Sequence, residues 1–318
     1  MNLIIVIVLG VIIYARAQVT KRRDKLYDAV HMGDVEMVTK LLEQDPSILT
    51  ADVPIVMDKR DPHGRTALLM CGYDPQEVSL ERLDADCTRI AQQLKASGAN
   101  MSHADPLRWN AVSMGAVRGM TKFCSYLADQ GVPLDLRVEG AEGRTALQLA
   151  LSHGKFDTAM ALVEKGANIT TRDDQGLAIE HYAVRWVSSE PSELPKLKAL
   201  VSFLSKRGEV FRVDVRDDRQ RTPLMYATMN KDLYSVSFLL DDLGANPTLV
   251  DQFGVSAYSM AQVEVVQNEL RDALASWAVK QHEKFLKTQN KALDEVKQKL
   301  RRQAMTRKKR AAAKKRAP

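Results

Sequence analysis

Ser152-His153-Gly154-Lys155 puts a hydroxyl, an imidazole and an amine within four residues, and Ser152 and Lys155 stand at the S-x-x-K spacing of a serine nucleophile with a lysine base. The other histidines are His31, His63, His103, His181 and His282, and the cysteines are Cys71, Cys87 and Cys124. No two histidines share a ligand spacing such as H-E-x-x-H, and the odd, irregular set of cysteines is neither a disulfide framework nor a zinc site. The chain has no glycine-rich phosphate loop and no G-x-S-x-G. Catalysis, a metal, a cofactor and a small-molecule substrate are therefore not expected. The chemistry left to this sequence is binding.

One candidate for binding is electrostatic. Nine cations, Arg301, Arg302, Arg307, Lys308, Lys309, Arg310, Lys314, Lys315 and Arg316, fall between Arg301 and Pro318 with no acid among them. A block of one sign contacts polyanions, so RNA, the ribosome or an anionic lipid surface are the expected partners of this tail. Residues 263–318 hold 16 Lys and Arg against 6 Asp and Glu, and residues 16–25 hold 5 against 1. The whole chain is +6, so the body over residues 26–262 is left at −8 between two basic ends.

The elements that must position any binding site recur along that body. One phrase appears as GRTALLM at Gly64, GRTALQLA at Gly143, QRTPLMYA at Gln220 and GVSAYSMA at Gly254, with looser copies at Arg108 and Gly176. The successive spacings are 44, 35, 33, 44 and 34 residues. Most copies close on a second phrase, as in ASGANM, EKGANI and DLGANP. Thr66, Thr145 and Thr222 are placed to cap a helix beginning at the next residue, and Pro223 occupies a first-turn position where no N–H is needed. Leu147 and Ala150 then share one helical face. Beyond the turn at SHGK, Phe156, Ala159, Leu162 and Val163 form an apolar stripe, and Gly166 supplies the left-handed residue that ends the second helix. Each unit is two short antiparallel helices with too little core to stand alone, so units must stack. The S-x-x-K spacing is explained by the same grammar, as are Asn100-Met101-Ser102 and Asn168-Ile169-Thr170, which read formally as glycosylation acceptors.

The segment GRTALQLALSHGKFDTAMALVEKGANI resembles the ankyrin repeat over nearly a full unit, and the likeness extends over residues 26–261, with LYDAVHMGDVEMVTKLLEQ similar to an amino-terminal capping repeat. The resemblance implies an all-α ankyrin-repeat solenoid. Two units depart from it by about ten extra residues, around Asp74–Asp84 and Ser188–Pro195, both expected between paired helices. Glu180 stands where the family has a core leucine, and His181 where ankyrin repeats often carry a structural histidine.

Laid on that pattern, the first helices turn Met70, Tyr73, Met114, Val117, Arg118, Leu149, Tyr182, Arg185, Trp186, Tyr226 and Met229 toward a concave surface. Aromatic, Met and Arg side chains are the types that protein interfaces enrich. Arg118, Tyr182, Arg185, Trp186, Tyr226 and Met229 are the expected partner-binding residues.

The two ends complete the organisation. Leu3–Tyr14 is an apolar run followed by basic residues from Arg16 to Lys25. It makes about 18 Å of helix against a hydrocarbon core of roughly 30 Å, a mismatch that snorkelling and thinning reduce. A retained amino-terminal transmembrane anchor with its basic flank is expected over residues 1–25, entering the membrane through residues 1–15, with the repeats on the cytosolic side and the mitochondrial outer membrane ahead of the endoplasmic reticulum. A cleaved signal and a buried helix are the competing readings. From residue 263 the chain reads as a long carboxyl-terminal helix with a disordered basic end, Trp277 covering the edge of the last repeat. The sum is a membrane-anchored, non-enzymatic scaffold that binds a protein partner. A structural subunit of a large membrane-associated assembly is the alternative.

Overall fold

The computed structural model describes residues 25–26, 28–44, 66–71 and 79–263, with 272–273, 275–277 and 279–280 beyond them. The apolar run before Lys25, Tyr73, the core positions expected at Val265, Val266, Leu270 and Leu274, and all nine tail cations lie outside these residues. No helix among the described residues is long and apolar enough to cross a membrane.

Described residues form helices and turns without a strand. Three isolated antiparallel bridges, Ala104–Asn110, Val138–Arg144 and Val250–Ser256, pinch the turns that lead into first helices. The first described helix, α1, is Val35–Gln44, preceded by helical residues 28–31. There follow α2 (Ala67–Met70), α3 (Leu80–Ala96), α4 (Ala111–Arg118), α5 (Thr121–Asp129), α6 (Ala146–Ser152) and α7 (Phe156–Glu164). The series ends with α8 (Ile179–Ser189), α9 (Leu194–Lys206), α10 (Pro223–Met229), α11 (Leu233–Ser237) and α12 (Ala257–Val263). Even-numbered helices pack on one another in sequence from α2 to α12, and odd-numbered helices do so from α1 to α9. The molecule is thus two parallel rows of helices around one continuous core, as stacking of incomplete units requires.

Local chemistry explains where these helices begin. Asn110 and Ser113 form a reciprocal capping box, Ser113 N–H donating to Asn110 Oδ1 at 2.8 Å and Asn110 N–H to Ser113 Oγ at 3.0 Å. Thr145 and Gln148 repeat the arrangement, and Thr222 accepts from Met225 N–H at 3.4 Å ahead of Pro223. Thr66 was expected to do the same, but its hydroxyl makes no capping bond. The expected stripe of α7 is fully internal: Phe156, Ala159, Leu162 and Val163 are all buried, and Gly166 closes the helix at φ +94°.

The ten-residue excesses do not become loops alone. They lengthen helices: α3 runs for 17 residues and α9 for 13, whereas α5 and α7 have 9 each. Asp84, in the first turns of the long α3, is buried and accepts from Lys122 N–H at 2.9 Å and Phe123 N–H at 2.8 Å. It thereby caps α5 of the next unit, whose own N-cap residue, Met120, cannot. One unit has a single surplus residue: Gly154 and Lys231, both left-handed, lead to Gly166 and Gly244 at spacings of 12 and 13. The surplus is absorbed by a π turn at Phe238–Asp242, where α11 widens before its stop.

Turn tips bind one another from unit to unit. Asp174 N–H donates to Glu142 C=O (3.0 Å), Asp218 N–H to Gln175 C=O (3.1 Å) and Gln252 N–H to Arg219 C=O (2.9 Å). At the opposite end of the units, Asn168 and Asn246 hold their own turns by accepting from Thr170 and Thr248, and their N–H groups reach Asp135 and Asp214 of the preceding unit, each at 2.9 Å. The GAN phrase is therefore a structural ladder. Beyond the last repeat, Trp277 packs against the core and Lys280 pairs with Asp241 at 2.8 Å, which agrees with the expected edge-covering role of the tryptophan. The three cysteines are free and buried. The Cys87 thiol beside it and burial hold the Cys71 thiol protonated, well above the usual range.

Candidate partner-binding face

His181, third residue of α8, is buried beneath the candidate face. Its Nδ1 accepts from Ala178 N–H at 3.1 Å, so the proton is on Nε2, which donates to Arg221 C=O at 3.0 Å. Burial keeps the ring neutral by lowering its pKa. Gln148, at the same helical position one unit earlier, makes the same two links: Oε1 accepts from Thr145 N–H at 2.9 Å and Nε2 donates to Leu177 C=O at 3.0 Å. The structural role expected for His181 is thus performed by two different side chains. Because the folded pKa is lowered below the ordinary value of about 6.5, the unfolded chain binds the extra proton. His181 therefore erodes stability as pH falls below about 6.5 and costs nothing above it. His181→Gln is expected to melt close to wild type at pH 7.5 and above it at pH 5.5. A wild-type melting temperature as steep in pH as that of the variant would contradict this.

Two tyrosines behind the face are anchored to the preceding turns. Tyr182 donates its hydroxyl to Asp173, and Tyr226 donates to Asp217 Oδ2 at 2.6 Å, in both cases nine residues back. Each aspartate also holds its turn through Oδ1, Asp173 by accepting from Leu177 N–H and Asp217 from Arg221 N–H, both at 2.8 Å. Burial and the carboxylate push both phenols upward, Tyr226 to about 12. A guanidinium lies over each ring: Arg144 over Tyr182 at 5.3 Å and Arg185 over Tyr226 at 5.2 Å. The Asp–Tyr–Arg stack recurs in consecutive units.

The expected face residues divide in three. Tyr182 is only 3% exposed and Leu149 only 1%, so both support the face from beneath. For Tyr182 the reason is the turn aspartate, which draws the hydroxyl inward. Trp186 is partly buried and packs against the core, its indole so close to Gly154 that a Cβ there would meet Cε2 at 2.2 Å. Arg185 and Met229 are exposed, Met229 by 44%, while Tyr226 and Arg118 are intermediate. Arg118 stands apart at the end of α4. Arg144, Ser152 and Asn230 were absent from the sequence-based set. They join Arg185, Trp186 and Ser189 around a cleft of about 360 Å³ between α6, α8 and α10. The Asp–Tyr spacing of nine, which recurs at 173/182 and 217/226, signals the anchored tyrosines and none of these three residues.

The S-x-x-K residues have other uses. Ser152 donates to Leu149 C=O at 2.9 Å, and the Lys155 stem lies against Gly119. Glu180, the acid at a core position, is wholly buried and paired with Arg212, Nε to Oε1 at 2.9 Å and NH2 to Oε2 at 3.2 Å. Arg212 N–H adds a third bond at 3.1 Å. The substitution of leucine by glutamate is thus compensated from a loop 32 residues away.

A double row of helices capped at the turns, with an aromatic and cationic cleft on the first-helix row, defines a repeat-built stack of the kind that suggests a scaffold for protein–protein interaction. Ankyrin repeats are detected in part of this stack: a family model of three ankyrin copies matches residues 83–173, and a model of the single ankyrin repeat matches residues 219–252. The two matches bracket the unit of α8 and α9 that bears Glu180 and the lengthened helices.

Proposed function

We propose that the chain is a membrane-tethered adaptor that binds one protein partner on the concave face of its ankyrin stack, through Trp186, Arg185, Tyr226 and Met229. The observation that carries this reading is the cleft between α6, α8 and α10, where the exposed Arg185 stands beside the partly buried Trp186, with Met229 44% exposed on α10. Tryptophan, tyrosine and arginine dominate binding energy when a partner excludes water from them. The anchoring of Tyr226 to Asp217 presents that surface in one geometry, which lowers the ordering cost of association.

The tether and the tail belong to the same proposal and rest on the sequence. The apolar run Leu3–Tyr14 and the following cations favour a membrane helix with the repeats on the cytosolic side, and the nine cations after Arg301 suit RNA, the ribosome or anionic lipid.

Affinity capture from cells, with melting curves alongside, tests the face. Trp186→Ala and Met229→Ala are expected to weaken the partner, Trp186→Ala by about 2 kcal/mol or more. Met229→Ala should leave the melting temperature unchanged, and Trp186→Ala should lower it because the indole covers Gly154. Full retention of every partner by both variants would place the binding surface elsewhere.

A further inference from the structure

The inner row of helices has an unusual charge composition. Across α2, α4, α6, α8, α10 and α12 there are only three charged residues, Arg118, Glu180 and Arg185. Glu180 is wholly buried and spent on Arg212, so the charges this row offers to a partner are both positive. This happens inside a body whose net charge over residues 26–262 is −8. The cleft sharpens the contrast. It is bordered by two guanidiniums, Arg144 and Arg185, by the hydroxyls of Ser152 and Ser189 and by the amide of Asn230, with no carboxylate in its lining. Arg144 gives one NH2 to Glu142 at 2.5 Å, and its fork retains further donors. Arg185 rests on the Tyr226 ring and has no ion pair among the described residues.

Two planar cations beside the Asn230 amide match a carboxylate, which guanidinium groups bind through paired N–H bonds, whereas the Ser152 and Ser189 hydroxyls already donate to Leu149 C=O and Trp186 C=O. The surrounding negative body opposes a long polyanion at this face, because a nucleic acid backbone would lie across it. We infer that the cleft receives an acidic peptide: an aspartate or glutamate side chain enters between Arg144 and Arg185, and an adjacent bulky apolar residue covers Trp186. This rests on the proposed partner-binding face and names the chemistry of its ligand.

Selection of a random displayed library of 12-residue peptides on the full-length chain tests it. The nine tail cations between Arg301 and Arg316 are changed to glutamine so that the tail cannot select acids. Enriched peptides should carry Asp or Glu next to a bulky apolar residue. A synthetic copy of one of them should bind about tenfold or more tighter than its Asn/Gln counterpart by fluorescence polarisation, since a charge-assisted hydrogen bond is worth that factor. Arg185→Gln should abolish the difference without lowering the melting temperature. Enrichment of peptides without an acid, no enrichment at all, or discrimination unchanged by Arg185→Gln would overturn the inference. If that happens while Trp186→Ala and Met229→Ala still lose their cellular partner, the face binds through apolar contacts and only the carboxylate reading falls.

Discussion

Replacing Arg212 with alanine is expected to lower the unfolding free energy by about 3–5 kcal/mol, the cost of leaving a buried acid without its partner. Glu180 is 0% exposed, and without the guanidinium it keeps only the Arg212 N–H. The carboxylate must then desolvate alone or take up a proton. The compensating experiment is the double variant Glu180→Leu with Arg212→Met. Glu180 is the second residue of α8, and the second residues of α4, α6 and α10 are Val112, Leu147 and Leu224, all buried. An apolar pair there should recover wild-type stability or exceed it, as buried ion pairs replaced by packed apolar residues commonly do. Urea unfolding followed by far-ultraviolet circular dichroism measures both. A single variant as stable as wild type would show that Glu180 is solvated in the native protein, contrary to the geometry.

Leu147→Ala should cost about 2–5 kcal/mol, because the residue is 0% exposed and its removal leaves a cavity that the flanking units must share. The loss should spread, since each unit is stable only through its neighbours and α6 packs on both α4 and α8. The same urea titration, with the midpoint shifted and the slope retained, is the expected outcome. A midpoint within error of wild type would remove Leu147 from the core.

Local features of this fold were legible in the sequence because their causes are local. The capping threonine at 145, the proline at 223, the stripe from Phe156 to Val163 and the stop at Gly166 each depend on neighbours a few residues away. What escaped the sequence depends on partners one unit distant. Asp84 caps Phe123 across 39 residues, and Arg212 meets Glu180 across 32. Neither pairing follows from a periodic pattern. Both arise in the two units whose helices are longer than the repeat requires. The exposure of Arg185 and Met229 was legible from the repeat pattern, and the residues that turned out buried are instructive. Tyr182 and Leu149 sit at positions that the repeat pattern assigned to the concave side, yet a turn aspartate withdraws one and packing encloses the other. Arg144 was overlooked because it precedes α6 and enters the site only by stacking on Tyr182 from the next unit.

The claim that function resides on the first-helix row is tested most directly by photo-crosslinking in cells. A benzophenone amino acid is placed in the full chain at Met229, which is 44% exposed on α10, or at Tyr234, which is 67% exposed on α11 of the other row. The account predicts a discrete adduct from position 229 that disappears with Trp186→Ala, and none from position 234. An adduct from position 234 with none from position 229 would contradict it.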